Sequence, residues 1–325
     1  MSDYKVKIYN SSDKEIWNNF SLKSNQDTFL FQRDFMDYHS DRFQDFSLII
    51  YKKNKLVALL PANRVDDSLY SHQGLSYGGF IYLNTIKTTE YIELFKVVLC
   101  FLHQKEITNI HFKELPIIYL HNLTNNPMAY LLFKINAELI RTDLHSVVDL
   151  QYKKYSNSRK EGVKRANKFE LKVEESSTYD LFWNEILTPN LEHKHGVKPV
   201  HNLEEIALLK SRYPNNIRQF NVYFNDKIVA GTTIFETKNV AHCQYISGNA
   251  DKNELGSLDF LHYHLIENVF KDKLYYDFGT SNINQGQQIN EGLLFWKEGF
   301  GARSIPQGFY KIATESYKLL EDILI

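Results

Sequence analysis

Residues 275–310 read YYDFGTSNINQGQQINEGLLFWKEGFGARSIPQGFY. Tyr275 to Phe278 has the pattern of a short buried strand with one acid, Asp277, inside it. A carboxylate in such a strand is costly unless it is bonded. Asp277 therefore reads either as the cap of the following turn or as a functional acid. A polar loop containing Gly279 and Gly286 comes next. A helix then carries Leu293, Leu294, Phe295 and Trp296, and Lys297 stands just before a Gly-Phe-Gly turn at Gly299 to Gly301. A lysine set between an aromatic pair and a tight turn has its place fixed by its neighbours.

The whole chain has 325 residues, 43% hydrophobic and 24% charged, with a formal net charge of -1. That is enough chain for one large domain or two ordinary ones. The balance gives no support to a DNA-binding role, so any polyanion contact must come from a local basic patch. The start, MSDYKVKIYN, lacks the apolar core of a signal peptide, and no apolar run reaches membrane-spanning length. The two cysteines, Cys100 and Cys243, each lie in an apolar segment and read as small buried thiols. These features point to a cytoplasmic protein without a membrane span.

Periodicity predicts the same order of elements twice. The first half shows a strand over 4–9, a helix from Ser12 and a short helix over 31–38. Strands over 46–51, 56–62 and 75–82 follow, then a helix over 89–104 and a strand over 109–115. A short helix after Pro127 and strands over 139–141 and 146–150 close the half. The second half opens with a helix over 154–168, a strand over 171–175 and helices over 178–191 and 203–212. Three consecutive strands, 217–224, 227–235 and 240–247, turn at Asn225-Asp226 and near Lys238-Asn239. A helix over 257–270 leads to the strand at Tyr275, and a last strand surrounds 308–312. The expected division is 1–143 and 144–325.

This order of elements is that of the GNAT fold. The motif DFG…N-x-G-L…K-x-G-F-G resembles the end of GNAT-like acyltransferases related to the Fem-type aminoacyl transferases. The resemblance implies an α/β protein with a mixed sheet, built as two tandem GNAT-like domains packed around a shared cleft. It implies a degenerate acceptor-side domain over 1–143 and a catalytic donor-side domain over 144–325. It also implies a reaction in which an amine attacks a thioester or ester carbonyl. Lys297 would stabilise the negative charge that develops, and Asp277 would act beside it.

Further candidates lie between residues 150 and 260. In KKYSNSRKEGVKRANKFELK, residues 153–172, Lys153, Lys160, Lys164 and Lys168 share one helical face. Tyr152, Tyr155, Arg159, Val163 and Ala166 form the opposite, inward stripe. An inward Arg159 needs an anionic partner, either an internal carboxylate or a ligand phosphate. Fem-like proteins carry a similar helix at the substrate cleft, matched here by Arg159 and Val163-Lys164-Arg165-Ala166. That likeness puts Arg159 and Lys164 toward the substrate.

His193, His195 and His201 fall in a loop-like LEHKHGVKPVH segment. No cysteine or spaced carboxylate completes a metal set, so no metal is expected. The resemblance makes the segment an acceptor-covering loop, with His195 as a base and His201 toward the substrate. In VAHCQYISGN, residues 240–249, alternation places His242 and Gln244 on one face and Cys243 and Tyr245 on the other. His242 and Gln244 read as lining a wet cleft.

The donor loop of the fold matches only Asn253 to Leu258, where Gly256 survives. Donor phosphates are expected at Gly256 and Ser257, at the start of the following helix, with Tyr245 close by. Asn290, in the N-x-G-L motif, is expected at the substrate. Acyl-CoA is the expected co-substrate, with no tightly bound cofactor. The acceptor would be a nucleotide-linked sugar or a cell-envelope precursor. Aminoacyl-tRNA is an alternative donor, disfavoured by the missing helical arm and the near-neutral charge. A non-catalytic glycan or nucleotide-sugar binding module is the alternative from another class.

Overall fold

Tyr91, Ile92, Leu94, Phe95, Val98, Leu99 and Leu102 recur at helical spacing, and all seven are buried in one apolar cluster. Burial of each stabilises the fold by about 1.5–3 kcal/mol. The backbone N–H of Lys87 donates to the Glu90 carboxylate at 3.2 Å and closes the first turn. This helix organises the first of two units in the computed structural model, which describes residues 3–123 and 126–325, apart from the side chains of Lys194 and His195. The units are Met1–Asp143 with Pro306–Ile325, and Leu144–Ile305.

The first unit contains β1 (Tyr4–Ile8), α1 (Lys14–Ser21), α2 (Arg33–Met36), β2 (Gln44–Asp45), β3 (Leu48–Lys52), β4 (Lys55–Leu60), β5 (Asn63–Val65), β6 (Ser68–Tyr70), β7 (Ile81–Tyr82), α3 (Thr88–Gln104), β8 (Asn109–Lys113) and α4 (Met128–Lys134). One sheet runs β1-β3-β4-β7, all antiparallel. A second series runs β2-β5-β6-β8, with β6 and β8 parallel. The strand expected over 75–82 is reduced to Ile81–Tyr82. The pairing goes instead to the β5–β6 hairpin, which sequence periodicity did not show.

The chain leaves this unit inside β9 (Glu138–Asp149), one strand where two were expected. The second unit then holds α5 (Asn157–Lys168), β10 (Lys172–Ser176), α6 (Thr188–His195), α7 (Leu203–Arg212), β11 (Ile217–Phe224), β12 (Lys227–Glu236), β13 (Val240–Gly248), α8 (Lys252–Leu255), α9 (Ser257–His264), β14 (Tyr275–Thr280), β15 (Asn282–Ile283), β16 (Gln288–Ile289) and α10 (Glu291–Glu298). Its sheet has the order β10-β11-β12-β13-β14-β9. Asn225 and Asp226 both take positive φ, as a two-residue hairpin turn requires. Helix 178–191 is wound as π turns over Phe182–Leu187 before α6 begins. Among the described residues no helix is long and apolar enough to cross a membrane.

The last strand, β17 (Arg303–Ala313), pairs Phe309–Ala313 with Lys113–Asn109 of β8. Residues 306–325 therefore belong with the first unit, not with the second as the sequence division had them. The cause is long-range: β17 completes the β8 edge, and Thr314 Oγ1 donates to the Ile107 carbonyl at 2.6 Å.

Two irregularities in the second unit place the site. In β13, Cys243 faces Ile234 while Tyr245 faces Thr233, so Gln244 is the extra residue of a β-bulge. Neighbouring Thr233 and Ile234 point to opposite faces, and so do Cys243 and Tyr245. Tyr245 thus shares the face of His242, against simple alternation. The second irregularity lies between β13 and β14. They pair in parallel over three positions only, ending at His242 opposite Asp277, and then part.

Candidate active site

Asp277 is fully buried, and two imidazoles and a backbone N–H reach its carboxylate. His242 Nδ1 lies 2.8 Å from Oδ2, and His145 Nδ1 lies 3.1 Å from the same atom. The backbone N–H of Gly279 donates to Oδ1 at 2.8 Å. An ionised carboxylate only accepts, so both imidazoles carry a proton on Nδ1. Burial alone would raise the Asp277 carboxyl. The two imidazoles and their hydrogen bonds outweigh it and hold the group well below the ordinary carboxylate range.

The neutral form of each imidazole therefore presents a basic Nε2. His242 Nε2 has no hydrogen-bond partner among the described residues, and its side chain is 14% exposed. The arrangement is a base held in one tautomer by a buried acid, placed where two parallel strands diverge. Among the described residues no group of three or more His, Cys, Asp or Glu side chains is placed to hold a metal ion.

Lys297 approaches from α10. It is buried, and its ammonium donates to the carbonyls of Gly279 at 3.0 Å and Thr280 at 2.7 Å. Burial pushes its pKa down to about 8, against the attraction of Asp277. The expected cleft-facing cation is thus an interior one. It fixes the backbone turn whose Gly279 N–H reaches Asp277. Asn290 caps the same helix, accepting the Leu293 N–H at 3.0 Å. Capping accounts for its place without a substrate.

Arg159 meets an internal carboxylate. Its Nη1 lies 2.5 Å from Asp259 Oδ1, and the Trp296 indole N–H donates to the same oxygen at 2.9 Å. Of the two partners the sequence left open, the structure supplies the acid on α9. The helix begins at Asn157 with Ser156 as its cap, so Tyr152 lies outside it and is exposed. Lys164 is exposed and pairs with Glu161 at 2.7 Å, away from any enclosed site.

The donor loop also departs from expectation. Gly256 has a φ of 68°, and a β-carbon there would overlap the backbone carbonyl of Gly162 in α5. Ser257 is fully buried behind it. The helix start expected to receive phosphates is therefore covered by α5. Gly256 is required for the packing of two backbones.

His201 and Tyr245 do come together: His201 Nδ1 is 2.6 Å from the Tyr245 hydroxyl, which also accepts the His201 N–H at 3.1 Å. Trp183 Nε1–H donates to the His201 carbonyl at 3.1 Å. The contacts latch the segment after α6 onto β13 and leave His201 buried. Gln244, at the bulge, keeps a buried Oε1 without a hydrogen-bond partner. The side chain of His195 lies outside the described residues.

Two residues of the site were missed in sequence. His145 reaches Asp277 only because β9 pairs with β14, Thr280 opposite His145. Asp259 lies on the buried side of α9 with Ser257, Leu261 and His262, and an acid there was the available signal.

Residues 176–288 match the family model described as an acetyltransferase (GNAT) domain. The matched stretch lies within the second unit and resembles an acyltransferase domain of the GNAT superfamily. No curated protein sequence matches the chain. In fold it is similar to FemX, with a TM-score of 0.67 at 8% identity, covering 98% of this chain and 99% of that one. It is also similar to a tandem GNAT protein from the clavulanic acid biosynthesis pathway, TM-score 0.54 at 12% identity, covering 96% and 98% of the two chains. L-PGS from Bacillus licheniformis is a further likeness, TM-score 0.52 at 16% identity, covering 81% and 85%. The mixed α/β fold is thus that of tandem GNAT proteins.

Proposed function

We propose that the second unit transfers an acyl group from acyl-CoA to a primary amine, with His242 as the general base. The observation that carries this reading is His242 itself: Nδ1 bonded to buried Asp277, Nε2 without a partner, at the point where β13 and β14 part. Diverging strands turn backbone N–H and C=O groups toward the gap between them, and a pantetheine-like chain carries amides that can pair with such groups. The amine nitrogen attacks the thioester carbonyl carbon, and Nε2 takes the amine proton. The C–N bond forms, the C–S bond breaks, and the proton passes to the leaving thiolate. Asp277 holds the tautomer and stabilises the imidazolium. Lys297 is a positioning residue that keeps the 279–280 turn in place. The acceptor proposed is an amine-bearing sugar nucleotide or cell-envelope precursor.

A second reading replaces the thioester with the ester of an aminoacyl-tRNA. Lys160, Lys164, Arg165 and Lys168 are exposed along α5 and give a polyanion a local basic surface. A donor panel separates the two. Thiol release from acyl-CoA, dependent on an amine and lost in His242→Ala by about 10²–10⁴-fold, supports the first reading. Transfer from aminoacyl-tRNA alone, weakening steeply with salt, supports the second. Full-rate acyl transfer in a folded His242→Ala protein removes His242 from both.

A further inference from the structure

The first unit contains a cavity of about 40 Å³ between the segment leading into β7 and the end of β8. That volume accommodates about three water-sized groups. Phe80, Tyr82, Tyr91, Phe112 and Met128 form its apolar wall. The rings lock one another in place: Tyr82 and Tyr91 meet edge to face at 5.0 Å, and Phe80 meets Tyr91 likewise at 6.0 Å. Among the described residues the Tyr91 hydroxyl bonds only a sulfur, Met128 Sδ at 3.6 Å.

One acid lines this wall, Glu114. Its Oε2 accepts the Gly308 N–H at 3.1 Å, and among the described residues no Lys, Arg or His pairs with the carboxylate. Burial raises the carboxyl above its ordinary range, with the Gly308 N–H acting against that. A half-buried acid without a cation, set among aromatic faces, has the chemistry that recognises a positive charge. Ring faces attract a cation, and the carboxylate gives it a charge-assisted hydrogen bond. An acyl chain would fill the same walls but would leave Glu114 desolvated and unmatched.

We infer that this cavity is a ligand site for a small primary ammonium group on a short alkyl stem. It stands apart from the acyl-transfer reading, since every residue of the wall lies in the first unit. The test titrates the full chain with ethylammonium chloride and, separately, with ethanol of the same heavy-atom count, following the Met128 methyl and the aromatic ring NMR signals. Ethylammonium should bind with a dissociation constant no tighter than about 1 mM, the limit for so few atoms. Ethanol should bind at least tenfold more weakly. Glu114→Gln should remove the preference. Should that variant fail to fold, the wild-type protein still decides. Glu114 is the one carboxyl among the lining side chains and only its ionised form matches a cation, so ethylammonium affinity should fall as acid protonates it. Equal binding of both probes, no binding of ethylammonium at 100-fold that limit, or affinity unchanged on acidification would each overturn the site.

Discussion

The backbone carbonyl of Gly162 occupies the place that a β-carbon on Gly256 would need. Two helices, α5 and the α8–α9 turn, therefore meet backbone to backbone, and the left-handed φ of 68° at Gly256 adds a second demand for glycine. Gly256→Ala should destabilise the fold by clearly more than 1 kcal/mol, and Gly256→Val by more again. Urea unfolding monitored by Trp fluorescence gives the measurement. A variant as stable as wild type, with weakened acyl-CoA affinity alone, would return Gly256 to the donor site.

Asp277→Asn should lower turnover by about 10²-fold or more, because an amide can donate to Nδ1 and so favour the wrong tautomer of His242. Steady-state kcat tests this: an unchanged kcat in the variant would remove Asp277 from the mechanism. His145→Ala should cost less than His242→Ala, since His145 is the more deeply buried of the two, 9% against 14% exposed. The reverse order would make His145 the base.

Breaking the Arg159–Asp259 pair should cost stability and spare binding. Arg159→Met leaves a carboxylate 9% exposed and unpaired, an arrangement that typically costs about 3–5 kcal/mol. Burial already pushes Asp259 upward, with the Arg159 charge opposing it. The midpoint of thermal unfolding should fall while the acceptor KM stays within twofold. A raised KM at unchanged stability would assign Arg159 to the acceptor instead.

Acid should destabilise the second unit from about pH 6.5 downward. His262 is wholly buried, and burial pushes its pKa down from 6.5 to about 3. Between those values the unfolded chain binds a proton that the folded chain refuses, so stability falls as pH falls, by about 1.4 kcal/mol per unit for this group. His262→Asn should flatten that slope in denaturant titrations between pH 6 and 4. An unchanged slope would show that His262 is not the group responsible.

Lys297 gives the same sign at higher pH. Its folded pKa of about 8 lies below the ordinary 10.5, so the folded chain sheds a proton that the unfolded chain keeps. Stability from this group rises as pH climbs from about 8 to 10.5. Lys297→Met should abolish that rise. It should also lower kcat by releasing the 279–280 carbonyls, with little change in donor KM. Wild-type kcat in the variant would end the positioning role.

The sequence made the local parts of this fold legible. The periodic helix Thr88–Gln104, the three strands β11 to β13 and the Asn225-Asp226 turn all rest on near neighbours in the chain. Asp277 and Lys297 stood out because a charge among apolar neighbours is a local mismatch. What stayed hidden depended on distant partners. The face of Tyr245 was misassigned because a bulge at Gln244 leaves no mark in an alternating pattern. The reason for Gly256 is a carbonyl in another helix. His145 becomes part of the site only through its strand's register with β14. The β5–β6 hairpin is too short and too polar to show a period.

The excursion of the chain, out at Asp143 and back at Pro306, sets an order on biosynthesis. A nascent chain carrying everything up to Ile305 could finish the second unit while the first still lacked the strand that closes β8. The first unit is therefore completed last although it is begun first, and until then β8 presents an unpaired edge to other chains. A ribosome stalled late in translation would hold a protein with one finished half and one sticky half. Truncation near the C-terminus should accordingly produce aggregation rather than a milder loss of stability.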